Sequence, residues 1–434
     1  MTNLVFHHDH QKLPLASDDL IPVQIYGLNG YGRGDISVIG NPIVDKIKRL
    51  GVSIPPSAID FLSIALAVTA ADTFVLRSNA TDGWTRSLAL QLPLYEPKKW
   101  QIVKRDLESA LHFLTGDIWR LEFQEGGYAP PEPYLRSKGY KLLGLKGLDC
   151  ISLFSGGLDS AVGSIDLIAQ GRSPLLVSHA YTGDANHQEK IAENLGGKFS
   201  RFSVNANPLS ATKKSDITMR SRSINFLAFG VIGTCAVQAI SQLDTVDLIV
   251  PENGFISLNA PLTPRRTGTL STRTTHPHFI ASVQNIFDSV GIPCLISNPY
   301  QFKTKGEMIS ECLDRDFLTD IVDHTVSCSH WKRSHQQCGV CVPCIIRRAS
   351  LHAGGISEST DYRFNDLTEV LREEDKRDDL MALSIAIAQR SARKLAPWIS
   401  DSGPIPPNHF DDYKGVFAKG LSEVETYLTA QGVL

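Results

Sequence analysis

Cys150-Ile151-Ser152-Leu153-Phe154-Ser155-Gly156-Gly157-Leu158-Asp159-Ser160 is the stretch that decides the fold. An apolar run of strand character meets a Ser-Gly-Gly-x-Asp-Ser turn, and an amphipathic segment from Ala161 to Ala169 follows. Strand, glycine-rich turn and helix is the context in which backbone N–H groups converge on a phosphate. Two adjacent glycines let the chain wrap an anion without Cβ obstruction. Ser155 and Ser160 add hydroxyl donors, and the helix brings the positive end of its dipole. A carboxylate at Asp159 repels an anion unless it caps backbone or meets Mg²⁺, so we read it as functional. Ser155, Gly156, Gly157, Leu158, Asp159 and Ser160 are therefore the candidate phosphate-binding residues. No G-x-x-x-x-G-K-[ST] loop occurs in the chain.

Working outward, the eight cysteines are unevenly placed. Cys150, Cys235, Cys294 and Cys312 sit singly in apolar segments and read as small core residues. Cys328, Cys338, Cys341 and Cys344 crowd together, with Cys338-Gly-Val-Cys341-Val-Pro-Cys344 forming overlapping C-x-x-C steps. Such spacings let thiolates converge on one tetrahedral centre. Zn²⁺ is the expected ion, an iron–sulfur cluster the rival, and disulfides the weakest reading in a reducing compartment. His330 and His335 lie within the loop and read as surface or substrate-side residues.

The Ser155–Ser160 loop resembles the PP-loop of the ATP pyrophosphatase superfamily, which grips the β,γ-pyrophosphate of ATP. With the following Cys…Cys-Gly-x-Cys-x-x-Cys-x-x-Arg, the stretch from about Asp149 to Arg348 is similar to the 7-cyano-7-deazaguanine synthase family. Ser327 before Cys328 and Arg347 after Cys344 match that pattern. The resemblance implies ATP with Mg²⁺, a structural zinc, and adenylation of a deazaguanine-type carboxylate with release of pyrophosphate. It also implies further site residues. Lys305, in Lys303-Thr304-Lys305-Gly306-Glu307, resembles the family's phosphate-neutralising lysine. Arg222, in Arg220-Ser221-Arg222-Ser223-Ile224-Asn225, resembles its nucleotide-site arginine, although the asparagine falls three places later. His179 ends a buried strand, Pro174 to Ala180, at the edge where such sheets bind ligands. Asp159, Lys305 and Arg222 are the candidate catalytic residues. His187, Gln188 and Glu189 fit either the family's polar run or a solvated helix turn. The Ser/Thr/Arg-rich stretch from Pro264 to His278 is suited to covering substrate, but lacks the family's tyrosine–aspartate segment.

The expected fold is α/β: a PP-loop parallel sheet with helices on both faces, a zinc knuckle, an extra N-terminal α/β domain and a helical C-terminal tail. Residues 1–148 would form the accessory domain, 149–354 the catalytic domain with its knuckle at 328–344, and 355–434 the extension. In the first part, a helix after Ser57 and strands over Trp84–Leu94 and Asp117–Gln124, separated by a helix over Pro97–Leu114, are expected. His7-His8-Asp9-His10 reads as a tolerated tail. Gly27 to Gly34 reads as a loop with no strong strand before it. Helices are expected over Asn365–Arg393 and from about Asp411 to Gln431, and Asp184 as the cap of a helix beginning near Asn186.

The 434 residues carry 42% hydrophobic and 21% charged side chains and a net charge of −3, which disfavours a global polyanion-binding surface and leaves nucleic acid undecided as a partner. No uncharged apolar run reaches ~18–20 residues, so no membrane span is expected. Met1 to Lys12 lacks a basic segment followed by an apolar core, so the chain reads as cytoplasmic. The added flanks resemble the enlarged synthase-like proteins of bacterial anti-phage defence systems, which implies protein partners. The alternatives are a tRNA-thiolating PP-loop enzyme and a nucleotide-binding scaffold without turnover.

Overall fold

The computed structural model describes all residues except 28–33, 180–183, 195–199, 217–219, 264–272 and 332–334. Among the described residues, ten strands form two five-stranded sheets. The first holds β1 (Thr2–His7), β2 (Leu20–Ile25), β3 (Ser37–Ile39), β4 (Ser87–Pro93) and β5 (Ile118–Gln124) in the order β3-β2-β1-β4-β5. The second holds β6 (Cys150–Leu153), β7 (Pro174–His179), β8 (Arg201–Val204), β9 (Val246–Ile249) and β10 (Cys294–Ser297) in the order β10-β9-β6-β7-β8. Every pairing is parallel. Counted in chain order both sheets run 3-2-1-4-5, so each reverses direction between its first and fourth strand. That reversal opens a crevice at the carboxyl ends of the two central strands, between β1 and β4 and between β6 and β9. β6 and β7 are buried along their whole length, which is why they read as continuous apolar runs.

Two helices fill the space between the sheets. Pro56–Phe74 packs on the first sheet, Arg222–Ser241 on the second, and they pack on each other. Both are apolar all round because both are surrounded by protein. Each is long and apolar enough to cross a membrane, yet their most apolar windows are 94% and 78% buried. The amide of Asn225 donates to Thr69 Oγ1 across the contact at 2.5 Å. One apolar cluster runs from Leu4 to Ile296 through both sheets. At the sheet edges Val38 and Leu209 exchange backbone hydrogen bonds of 2.9 and 2.8 Å.

A buried charge cluster lies at the head of the Arg222–Ser241 helix. Arg86, whose side chain is 2% exposed, bonds both Asp72 and Asp117, the latter at 2.6 Å. Arg77 adds a second contact to Asp117 at 2.8 Å, and Asp72 accepts the Ser221 N–H at 3.2 Å. Burial opposes the Asp117 charge, but the Arg86 and Arg77 guanidiniums hold its carboxyl below the usual range. The C-terminal helices Asp378–Gln389, Leu395–Ser400 and Phe410–Ala430 share a separate apolar cluster with the four crowded cysteines and the Val342–Gly354 helix.

The structure corrects several expectations. His7-His8-Asp9-His10 is no tail: His7 ends β1, and Asp9 caps a short turn by accepting from Gln11 N–H. A strand, β2, does precede the glycine-rich Gly27–Gly34 segment, most of which lies outside the described residues. The span Asn365–Arg393 is two helices, Leu367–Val370 and Asp378–Gln389, because the charged run between them has no apolar side chain to bury. The helix expected over Pro97–Leu114 breaks at Val103 into Pro97–Ile102 and Lys104–Thr115. Asp184 is the first residue of its helix rather than its cap.

Arg86→Ala leaves Asp72 and Asp117 with too few partners in a dry environment. It should lower stability by about 3–5 kcal/mol, seen as a large fall in Tm; a shift of only a degree or two contradicts this account of the cluster.

Candidate functional site

The Ser155–Ser160 loop leaves β6 at the switch point and feeds the helix Leu158–Ala169. Gly156 has φ +81°, and a Cβ there would lie 3.0 Å from the Gln188 side chain. Glycine is therefore required for both conformation and space. The loop is laced internally: Gly157 N–H donates to Ser155 Oγ at 3.2 Å, and Ser160 Oγ donates to the Gly157 carbonyl at 2.9 Å. It is also held from both sides. Gln188 donates to the Ser155 carbonyl at 3.2 Å, and Val326 N–H donates to the Gly156 carbonyl at 3.0 Å. Of the polar run at 187–189, Gln188 is thus the residue that touches the loop, and its other amide atom is buried without a partner.

Asp159, in the first turn of the helix, meets side chains from two further loops. Lys305 Nζ lies 2.9 Å from Asp159 Oδ1. Asn253 donates to Oδ2 through its backbone N–H at 3.1 Å and its side-chain amide at 2.7 Å. Asn253 follows β9 and Lys305 follows β10, so three carboxyl-end loops converge on one carboxylate. Burial opposes the Asp159 charge, but the Lys305 ammonium and the hydrogen bonds hold its carboxyl below the usual range. Glu252 is the reverse case. Although the residue keeps some exposed surface, loss of solvent and then the Asp159 charge push its carboxyl well above the usual range. Glu252 and Asn253 escape a reading of single motifs; the polar loop at the end of an apolar strand was their only signal.

The structure thus brings Asp159 and Lys305 together. Arg222 begins its helix one strand over and donates to the His179 carbonyl at 3.3 Å. The His179 ring is buried, edge-on to Phe229 at 5.3 Å, so the backbone rather than the imidazole faces Arg222. Most of the Pro264–His278 stretch lies outside the described residues.

The sulfurs of Cys328, Cys338, Cys341 and Cys344 all lie within 4.8 Å of one another, and all four residues are buried. Cys338 and Cys344 are 3.9 Å apart and Cys341 and Cys328 4.0 Å. A disulfide needs about 2.05 Å. Four thiolates about 2.3 Å from a tetrahedral ion are separated by roughly 3.8 Å. The cluster fits a metal such as zinc. Backbone N–H groups of His330, Cys338 and Cys341 point at its sulfurs at 3.3 Å, while His330 and His335 are exposed. The cluster is wired to the Ser155–Ser160 loop, because Cys328 lies two residues after Val326. Arg347, fully buried, fixes the turn just before Val326 by donating to Thr325 and to the Val322 carbonyl, with its charge met by Glu358 at 3.0 Å.

No protein-family model matches the sequence, and no curated protein matches it. The family resemblance rests on the motifs alone.

Glu252→Gln mimics the protonated carboxyl that the fold prefers. The unfolded chain ionises Glu252 near its ordinary 4.5 and the folded one only at higher pH, so the wild type loses stability as pH rises above that value. The Tm of Glu252→Gln should therefore gain on wild type as pH rises above about 4.5, while Asp159→Asn, which strips Lys305 of its counter-charge, should lose about 3–5 kcal/mol. Elemental analysis should find about one zinc per chain, and its removal by a chelator should speed amide hydrogen exchange in the 155–160 loop; unchanged exchange would break the proposed link through Val326.

Proposed function

We propose that the protein is an ATP-dependent adenylating enzyme of the 7-cyano-7-deazaguanine synthase kind. The single observation that carries this reading is the crevice between β6 and β9. There a Ser-Gly-Gly-x-Asp-Ser loop, a helix N-terminus and the buried Lys305–Asp159 pair meet. In this reading residues 149–354 are a PP-loop catalytic domain, 1–148 an accessory domain and 355–434 an extension.

The loop amides and the hydroxyls of Ser155 and Ser160 would hold the β,γ-phosphates, where donors aimed at developing charge act most strongly. A carboxylate oxygen of the substrate attacks the α-phosphorus, the bond to the β-bridging oxygen breaks, and pyrophosphate leaves with that electron pair. The product is an acyl adenylate, from which ammonia or another nucleophile displaces AMP. Lys305 is poised to turn from Asp159 toward the leaving phosphates, and Arg222 adds charge from the end of β7. With Lys305 turned away, Asp159 Oδ1 would be the oxygen donor that holds Mg²⁺, an ion that offsets phosphate charge when bound. Cys328, Cys338, Cys341 and Cys344 would hold Zn²⁺ as a brace for the loop. The setting we favour is a bacterial anti-phage system with protein partners and a deazaguanine-type carboxylate as substrate.

With ATP, Mg²⁺, 7-carboxy-7-deazaguanine and ammonia, the protein should release pyrophosphate and AMP. Lys305→Ala and Asp159→Ala should each slow release on the order of a hundredfold, the loss seen when one charge-stabilising group is removed. ATP binding without pyrophosphate release overturns the enzyme in favour of a nucleotide-binding scaffold.

A further inference from the structure

We propose that the C-terminal helix Phe410–Ala430 is a built-in part of the nucleotide site, with Glu423 as the positioning residue for Lys305. This rests on Lys305 acting on phosphate as described above.

Lys305 is the first residue of the helix Lys305–Ser310. A cation there opposes the helix dipole, and the first N–H groups of any helix lack partners within it. The local sequence settles part of this. Thr304 Oγ1 accepts the Glu307 N–H at 3.0 Å, and Glu307 accepts the Thr304 N–H at 2.8 Å, a reciprocal capping box. The rest comes from far along the chain. Glu423 accepts the Gly306 N–H at 3.3 Å through one oxygen and the Thr304 hydroxyl through the other. Lys419, one turn before Glu423, pairs with Glu307. Both carboxylates at the head of the Lys305 helix are thus tied to the C-terminal helix. A Cβ on Gly306 would lie 2.5 Å from Glu423 Oε1, so the approach needs glycine there.

The same C-terminal helix also reaches the neighbouring loop. The Phe417 ring packs at 5.5 Å from Phe255, two residues beyond Asn253. Tyr413 donates to Gln301 Oε1 at 3.0 Å, on the segment leading to Lys305. One helix therefore clamps both loops that hold Asp159, the β9 loop by packing and the β10 loop by hydrogen bonds. Glu423 touches neither Asp159 nor Lys305. It fixes the turn from which the Lys305 side chain springs, and small errors in such placement are costly to a charge meant to meet a phosphate.

The test is a double-mutant cycle on the full chain, with Mg·ATP binding measured by calorimetry. Glu423→Ala should weaken binding on the order of tenfold, as expected for losing a charge-assisted hydrogen bond. Glu423→Gln, which keeps an acceptor oxygen, should recover most of that loss. In a Lys305→Ala background Glu423→Ala should add nothing, which a merely structural role would not produce. Should Glu423→Ala fail to fold, Gly306→Ala, which pushes the carboxylate away, should show the same dependence on Lys305. Equal losses in both backgrounds, or unchanged affinity in Glu423→Ala, overturn the positioning role alone. A wild type that binds no Mg·ATP overturns the adenylation reading and this inference with it.

Discussion

The buried contact of Lys305 with Asp159, completed by Asn253, is the constraint on which the crevice depends. It joins three loops that are far apart in the chain, after β6, β9 and β10. A pair this dry gains little net stability, since removing two charges from water offsets most of their attraction. What it supplies is position. Asp159 cannot move without uncovering a charge, so the phosphate loop, the Asn253 turn and the Lys305 helix hold one register. The cost of breaking it falls on whichever partner remains.

The scaffold behind this contact is rigid for a second reason. The two sheets share a strand order, and two largely apolar helices lie between them as a common core. The helix Arg222–Ser241 reaches from the interface with the first sheet to the edge of the second. Its head is pinned by the Asp72 bond to Ser221, inside the Arg86–Asp117 cluster. Arg222 is the next residue. The first sheet is therefore mechanically continuous with the end of β7, where Arg222 donates to the His179 carbonyl.

Legibility in the sequence followed how local each feature is. The strand β6, its turn and its helix are contiguous, and the four cysteines lie within one short segment, so residue type and spacing carried them. β1 and β2 were not, because β1 runs into histidines and β2 into glycines, and neither carries a long apolar run. The charged stretch around Arg372–Asp379 kept a helical pattern on paper, but no apolar surface secures it. Glu252, Asn253 and Gln188 gain meaning only when loops separated by tens of residues meet. Glu423 is the extreme case, since nothing in its own helix distinguishes it from neighbouring acidic residues.

A loop built on adjacent glycines has to be braced, because glycine gives up more conformational freedom on ordering than any other residue. In this protein the braces come from segments outside the loop's own sheet. Val326, at the edge of the cysteine centre, bonds the Gly156 carbonyl, while the C-terminal helix fixes the turn behind Lys305 through Glu423. The cysteine cluster and that helix share one apolar core, so the two braces are parts of a single body. A metal held by Cys328, Cys338, Cys341 and Cys344 would stiffen that body, and with it both walls of the crevice. The segment after Gly354 then supports the crevice as directly as the loop's own sheet does: without it, the Lys305 turn and the Asn253 loop lose the contacts that hold them in place.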